Sequence, residues 1–252
     1  MGARPMASPA ENPCNDPHGL DRPAAIGHHL RMSCFVTGTD TGVGKTHVSR
    51  LILQTLRQSG IDAVGYKPVA CGDRDDARIL AAASGDLSLD EVNPLHLLAP
   101  LSPYVAGLME NRAVDPAVLL AGFRRLAAAH PVVIVEGVGG WEVPLTADYR
   151  VSDLAADLAL PVILVAANRL GALNHILLTL DAIHAKGLTC AGIILNQLDD
   201  EMDTAMISNK SVLAGLTAVP LLDHLIYQQD FLDELVFRTL ACGGPPPLSE
   251  KS

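Results

Sequence analysis

Residues 35 to 46 run Phe35-Val36-Thr37-Gly38-Thr39-Asp40-Thr41-Gly42-Val43-Gly44-Lys45-Thr46. Glycines, a lysine and a hydroxyl in that order can hold a phosphate. Glycines let backbone N–H groups turn inward as an anion nest. A helix starting at the loop adds its positive end. Lys45 can reach terminal phosphates, and the Thr46 hydroxyl can ligate Mg²⁺. Gly42, Val43, Gly44, Lys45, Thr46 and His47 are therefore the nucleotide-binding candidates. The spacing is wide: five residues separate Gly38 from Gly44, one more than the common pattern has. Thr39 takes the usual glycine place. The bland alternative is a Gly-rich turn that binds nothing, but Gly-Lys-Thr falls where a helix should begin.

Further polar residues follow apolar runs. Glu136 closes Val132-Val133-Ile134-Val135 and precedes Gly137-Val138-Gly139-Gly140. A carboxylate there can share the metal of a phosphate-loop site, although an acidic turn residue is the plain alternative. Asp75 and Asp76 open a helical pattern, where capping is the usual role. With a metal nearby, Asp76 becomes a ligand candidate. Thr46, Asp76 and Glu136 then form an oxygen set suited to Mg²⁺, while Asp73 and Asp75 are expected in solvent. Lys67, fixed before Pro68, could neutralise a transferring phosphoryl group, although most lysines are surface groups. The run Asp199, Asp200, Glu201 and Asp203 reads as a solvated loop. Trp141 either packs over the site or is simply buried.

The elements that must position these residues alternate. Strands are expected at 34–37, 63–66, 132–135, 162–166, 193–195 and 219–222. Helices are expected at 45–58, 77–83, 114–129, 153–158, 174–186, 204–216 and 231–240. Asp115 and Pro116 mark one helix start, and Gly60 and Gly187 mark two ends. Short apolar strands alternating with helices predict a single-domain, phosphate-loop NTPase-like α/β fold. Its sheet is mostly parallel, with helices on both faces. Ligands bind such sheets at the strands' carboxyl ends. Gly38 to Thr46, Lys67, Glu136, Asn168 and Asn196 all follow strands.

Composition limits the remaining choices. The 252 residues are 49% hydrophobic with a formal net charge of −10, which disfavours nucleic acid as a partner. No apolar run is long enough to span a bilayer. Cys14, Cys34, Cys71, Cys190 and Cys242 show no metal spacing and fit free thiols in a reducing cytoplasm. The histidines show no ligand pattern and read as structural or surface groups. Residues 1–31 carry five prolines and no apolar period, and are expected to be a disordered extension before a domain at 32–240. A disordered tail is expected at 241–252.

Together the motifs resemble the dethiobiotin synthetases. The carrying stretches are Val36 to Thr46, Gly65-Tyr66-Lys67-Pro68-Val69, Leu101-Ser102-Pro103 and Val135 to Trp141. Pro161 to Val165, Leu170 to His175 and Pro220-Leu221-Leu222 also match, so the likeness runs from Ser33 to Leu222. The wide loop is normal in that family. The resemblance implies a ligase that takes 7,8-diaminopelargonate, CO₂ or bicarbonate and ATP, with Mg²⁺, and closes a cyclic urea. It implies that Lys45, Lys67 and Thr41 are catalytic and that Thr46, Asp76 and Glu136 hold Mg²⁺. Asn196 would meet the adenine. Thr41, Lys67, Cys71, Gly139, Gly171 and Asn174 would meet the substrate. A homodimer is implied, with the loop at 170–174 holding the substrate carboxylate.

The chain departs from that pattern in places. Many members have serine where Cys71 stands. After Leu222 they continue Gly-x-Ile-Pro, whereas this chain has Asp223-His224-Leu225-Ile226. Three other readings compete: an amidase-synthetase of the cobyrinate type, a partitioning or site-selecting switch ATPase, and an inactive binding module. The first needs a glutaminase domain for which no room remains. The second usually has a lysine near the first glycine, where Thr39 and Asp40 stand. The third leaves both lysines and the metal candidates unexplained.

Overall fold

A computed structural model describes residues 33–85 and 87–241. The expected extension at 1–31 lies outside the described residues, as does the expected tail at 241–252 except Ala241, which ends the last helix. Six parallel strands form the main sheet. They are β1 (Cys34–Gly38), β2 (Ala63–Tyr66), β5 (Val132–Glu136), β6 (Val162–Ala167), β7 (Cys190–Asn196) and β8 (Leu221–Leu225), ordered β2-β5-β1-β6-β7-β8. Strands β3 (Val69–Cys71) and β4 (Leu95–Leu97) pair in parallel beside it. The helices are α1 (Lys45–Gln58), α2 (Asp75–Ala83), α3 (Leu89–Val92), α4 (Pro103–Glu110), α5 (Pro116–Ala129), α6 (Val151–Leu158), α7 (Ala172–Ala185), α8 (Thr204–Leu216) and α9 (Glu234–Ala241).

Alternation along the strands builds two cores. Phe35, Val133, Val135, Leu164 and Ala166 point to the face packed by α5, α6 and α7. Cys34, Val36, Ile134, Ile163 and Val165 point to the face packed by α1, α2 and α9. Successive side chains on a strand take opposite faces, so a sheet covered on both sides needs continuous apolar runs.

Several boundaries differ from expectation: β7 starts at Cys190 rather than 193, α5 at Pro116 rather than 114, α6 at Val151 rather than 153 and α7 at Ala172 rather than 174. The last strand is Leu221–Leu225, not 219–222, because Pro220 supplies only a carbonyl to Ile193 N and the ladder then runs through Asp223 and His224. The last helix starts at Glu234. Helix α2 includes both aspartates. The short pair β3 and β4 and the helices α3 and α4 were not expected: three-residue strands show no period, and proline punctuation hid α4. Its signals are nonetheless local, with Pro103 in the first turn and Asn111 closing it at φ 49°.

Candidate active site

Chain order and register gather the polar residues. Strand β1 lies between β5 and β6, so its carboxyl end is where the sheet order reverses. Tyr66 pairs with Val135, and Phe35 also pairs with Val135. The next residues after Tyr66 of β2 and Val135 of β5, Lys67 and Glu136, therefore stand at the same level and on the α1 side of the sheet.

The loop from Gly38 to Thr46 turns there. Gly42 and Gly44 have φ of 75° and 93°, whereas Thr39 has no positive φ. The wide loop thus does without a glycine at Thr39. A Cβ on Gly44 would fall 2.1 Å from Asn196 Nδ2, so this position needs glycine for conformation and for space. Asn196 Nδ2 donates to Val43 O at 3.0 Å, bracing the loop from β7. Among the described residues, no acceptor takes the N–H groups of Gly42, Gly44, Lys45 and Thr46. They are free for an anion.

Lys45 is buried, and its Nζ donates to Asp40 O at 3.0 Å. Burial, then the neighbouring Lys67 charge, pulls its pKa down to about 8. Lys67 is 2% exposed and Glu136 is 0% exposed. Lys67 Nζ donates to Glu136 Oε1 at 2.6 Å, Asp76 Oδ2 at 2.8 Å and Gly137 O at 3.3 Å. Burial opposes its charge, but the two carboxylates outweigh burial and raise its pKa. Burial likewise raises the Asp76 pKa, and Lys67 outweighs it, for a net lowering. Thr46 Oγ1 donates to Glu136 Oε1 at 2.8 Å. Glu136 Oε2 is buried without a partner among the described residues, an unusual state for a carboxylate oxygen.

The backbone of Lys67 is fixed as well. Its N–H donates to Val92 O at 2.8 Å, and its carbonyl accepts from Asn93 Nδ2 at 2.8 Å. Asn93 is buried and accepts from Arg74 Nε. Nothing local in the sequence marks Asn93 for this role.

A cavity of about 670 Å³ opens over these groups. Thr41, Gly42, Gly44, Lys45, Thr46, Lys67, Cys71, Asp76 and Gly139 line it. Pro100, Leu101, Ser102 and Pro103 form a wall that was not counted among the candidates, although Leu101-Ser102-Pro103 was a matching motif. Burial, then Glu110, pushes the Cys71 thiol up to about 11. Val43 is core. His47 faces away from the cavity and donates from Nε2 to Gln229 O at 2.8 Å, so Nδ1 is its acceptor, facing Arg50. Gly171 and Asn174 are exposed at the start of α7 and do not line this cavity.

Asp73 and Asp75 are exposed, and Asp75 pairs with Arg78. Asp203 is no solvated loop residue: it caps α8 through Met206 N and holds Leu170 N. Trp141 is buried edge-on to Phe35. The strand-end residue Asn168 is bonded to His224 Nε2 and Asn209 rather than facing the cavity.

Known proteins share this arrangement of sequence. The model of a family described as an AAA domain matches residues 32–229. An ATP-dependent dethiobiotin synthetase of Akkermansia muciniphila is 54% identical over 200 residues, covering 79% of this chain and 94% of that protein. The chain belongs to the dethiobiotin synthetases. A second synthetase, from Aromatoleum aromaticum, is 47% identical over 177 residues, covering 67% of this chain and 79% of its own. Among solved structures, the MinC:MinD cell division complex of Aquifex aeolicus is 14% identical with a TM-score of 0.52, covering 84% of this chain and 86% of that one. That likeness shows the phosphate-loop NTPase fold alone. The synthetase relatives, not the fold neighbours, decide between a ligase and a switch ATPase.

Proposed function

We propose that this chain closes the cyclic urea of dethiobiotin from 7,8-diaminopelargonate, CO₂ and ATP. The supporting observation is the meeting of Lys45, Lys67, Thr46, Asp76 and Glu136 beside one cavity at the phosphate loop.

In this reading, one diamine nitrogen takes up CO₂, loses a proton and becomes a carbamate. The carbamate oxygen bonds to the γ-phosphorus as the bond to ADP breaks, giving a carbamic-phosphoric anhydride. The second nitrogen then bonds to the carbamate carbon, loses its proton and expels phosphate. Such chemistry needs positioning and neutralised charge more than covalent help. The free amides of Gly42 to Thr46 and the Lys45 ammonium hold the phosphates. Lys67 meets the anion that develops between carbamate and phosphate. Thr41 and Gly139 line the path between the two, and Cys71 takes the place of a hydroxyl as a weaker donor.

Thr46, Asp76 and Glu136 fit Mg²⁺, because Glu136 Oε2 is a buried carboxylate oxygen with no partner among the described residues. Two carboxylates and a hydroxyl, completed by phosphates and water, suit that ion. When bound, it supplies positive charge to the phosphate oxygens. A homodimer completes the reading. Gly171 and Asn174 stand exposed beside the 82%-exposed Leu170, available to the diamine bound by a second copy.

The test is incorporation of ¹³C-bicarbonate into an acid-stable product. The expected product is dethiobiotin carrying one labelled carbon, formed only with ATP and the diamine. A labelled carbon that is lost on acidification would contradict ring closure.

A further inference from the structure

Lys67 makes contacts that a lysine reserved for substrate would not need. Its three ammonium hydrogens match three oxygens: Glu136 Oε1, Asp76 Oδ2 and Gly137 O. Two of those belong to the carboxylates assigned above to Mg²⁺. The ammonium holds one oxygen of each carboxylate and leaves Glu136 Oε2 without a partner, so a divalent ion bound to both carboxylates would stand beside the ammonium and repel it. The lysine is almost wholly buried, so water does not compete for it.

Charge gives the same answer. Lys45 and Lys67 balance Asp76 and Glu136, so the four side chains are neutral together. A divalent ion on the carboxylates would leave an excess of positive charge around Lys67. That excess is relieved when Lys67 turns to an anion in the cavity, whose wall it already forms. Its backbone stays put, tied to Val92 O and Asn93 Nδ2 at both polar atoms. Only the flexible side-chain stem needs to move.

We propose that Lys67 is the resident cation of the free site, and that a divalent metal entering with nucleotide takes over its carboxylates and releases it toward the transferring phosphate. This rests on the metal set of the proposed function. It adds an order of events: until metal and nucleotide arrive, Lys67 is tied to Asp76 and Glu136. The loaded site thereby gains its lysine, and metal alone binds poorly because Lys67 opposes it.

The experiment uses the full chain without diamine, so it is independent of ring closure. Free Mn²⁺ is followed by electron paramagnetic resonance for the natural chain and for Lys67→Met, with and without ADP. The natural chain is expected to take up Mn²⁺ well with ADP and weakly alone. Lys67→Met is expected to bind Mn²⁺ alone at least about tenfold more tightly than the natural chain, a coupling of ordinary size. Equal affinity in the two chains without ADP would overturn the exchange alone. No uptake even with ADP would overturn the metal set, and the exchange with it. Lysine-¹⁵N NMR of the natural chain gives a second readout if Lys67→Met fails to fold. The Lys67 Nζ signal, identified by its loss in Lys67→Arg, should shift with Mg²⁺ and ADP together. A signal unmoved by them would overturn the proposal.

Discussion

Lys67 Nζ stands 2.6 Å from Glu136 Oε1, with neither side chain more than 2% exposed. A buried pair of this kind is costly to break from one side, because the survivor keeps its charge without a partner. Lys67→Ala should therefore destabilise the free protein by about 3–5 kcal/mol. Lys67→Met with Glu136→Gln should recover most of that loss. Urea unfolding of the three chains checks this. Equal midpoints for Lys67→Ala and the natural chain would remove the pair from the stability of the fold.

Gly44 is held at φ 93° against Asn196. Gly44→Ala places a Cβ in the left-handed region, at a cost of about 1–2 kcal/mol, and drives it into the Asn196 amide. ATP affinity should fall by more than tenfold, because Asn196 braces Val43 and the loop must shift. Calorimetric titration with ATP checks this, and unchanged affinity would refute it.

Cys71 gives a pH dependence with a definite sign. Burial favours the neutral thiol and lifts its pKa from 9.0 to about 11. Thiolate is the reactive form. Alkylation of Cys71 at pH 8 should run roughly a hundredfold slower than for an unperturbed thiol. It should then climb with pH up to about 11. Mass spectrometry of the Cys71 peptide after timed iodoacetamide treatment measures it. Rapid labelling at pH 8 would contradict the half-buried environment.

Strand β8 carries Asp223 and His224 where the family pattern has Gly-x-Ile-Pro. Asp223 accepts from His224 N and Asp233 N, and His224 accepts from Asn168 Nδ2. Both are turned to the protein itself. With the family's wall replaced, discrimination between ATP and other nucleoside triphosphates should be looser than the family pattern implies. Competition of GTP and CTP against ATP checks this, and strong rejection of both would count against it.

Lys67 and Glu136 could be placed without coordinates, because each stands at the carboxyl end of an apolar strand. Parallel register then does the rest: once Tyr66 pairs with Val135, Lys67 and Glu136 are neighbours. The loop's glycines also carried their reason locally, since Gly44 precedes a helix and needs positive φ. What could not be read depends on distant partners. Asn93 holds the Lys67 carbonyl from 26 residues away, and no local pattern marks it. Asp203 looked like one acid in a charged loop, yet it caps α8 and anchors Leu170. The wall from Pro100 to Pro103 follows strands too short to show a period.

ADP release at steady state, with and without the diamine and bicarbonate, decides most directly whether Lys45, Lys67 and Glu136 serve ring closure. The natural chain should release ADP only when both are present. Lys45→Ala should lose nucleotide affinity and turnover together, and Lys67→Met chiefly turnover. Removing one preorganised contact costs about 2.7–4 kcal/mol, or roughly a hundred- to thousandfold in rate. ADP release that ignores the diamine, or near-natural turnover in a folded Lys67→Met chain, would contradict this assignment.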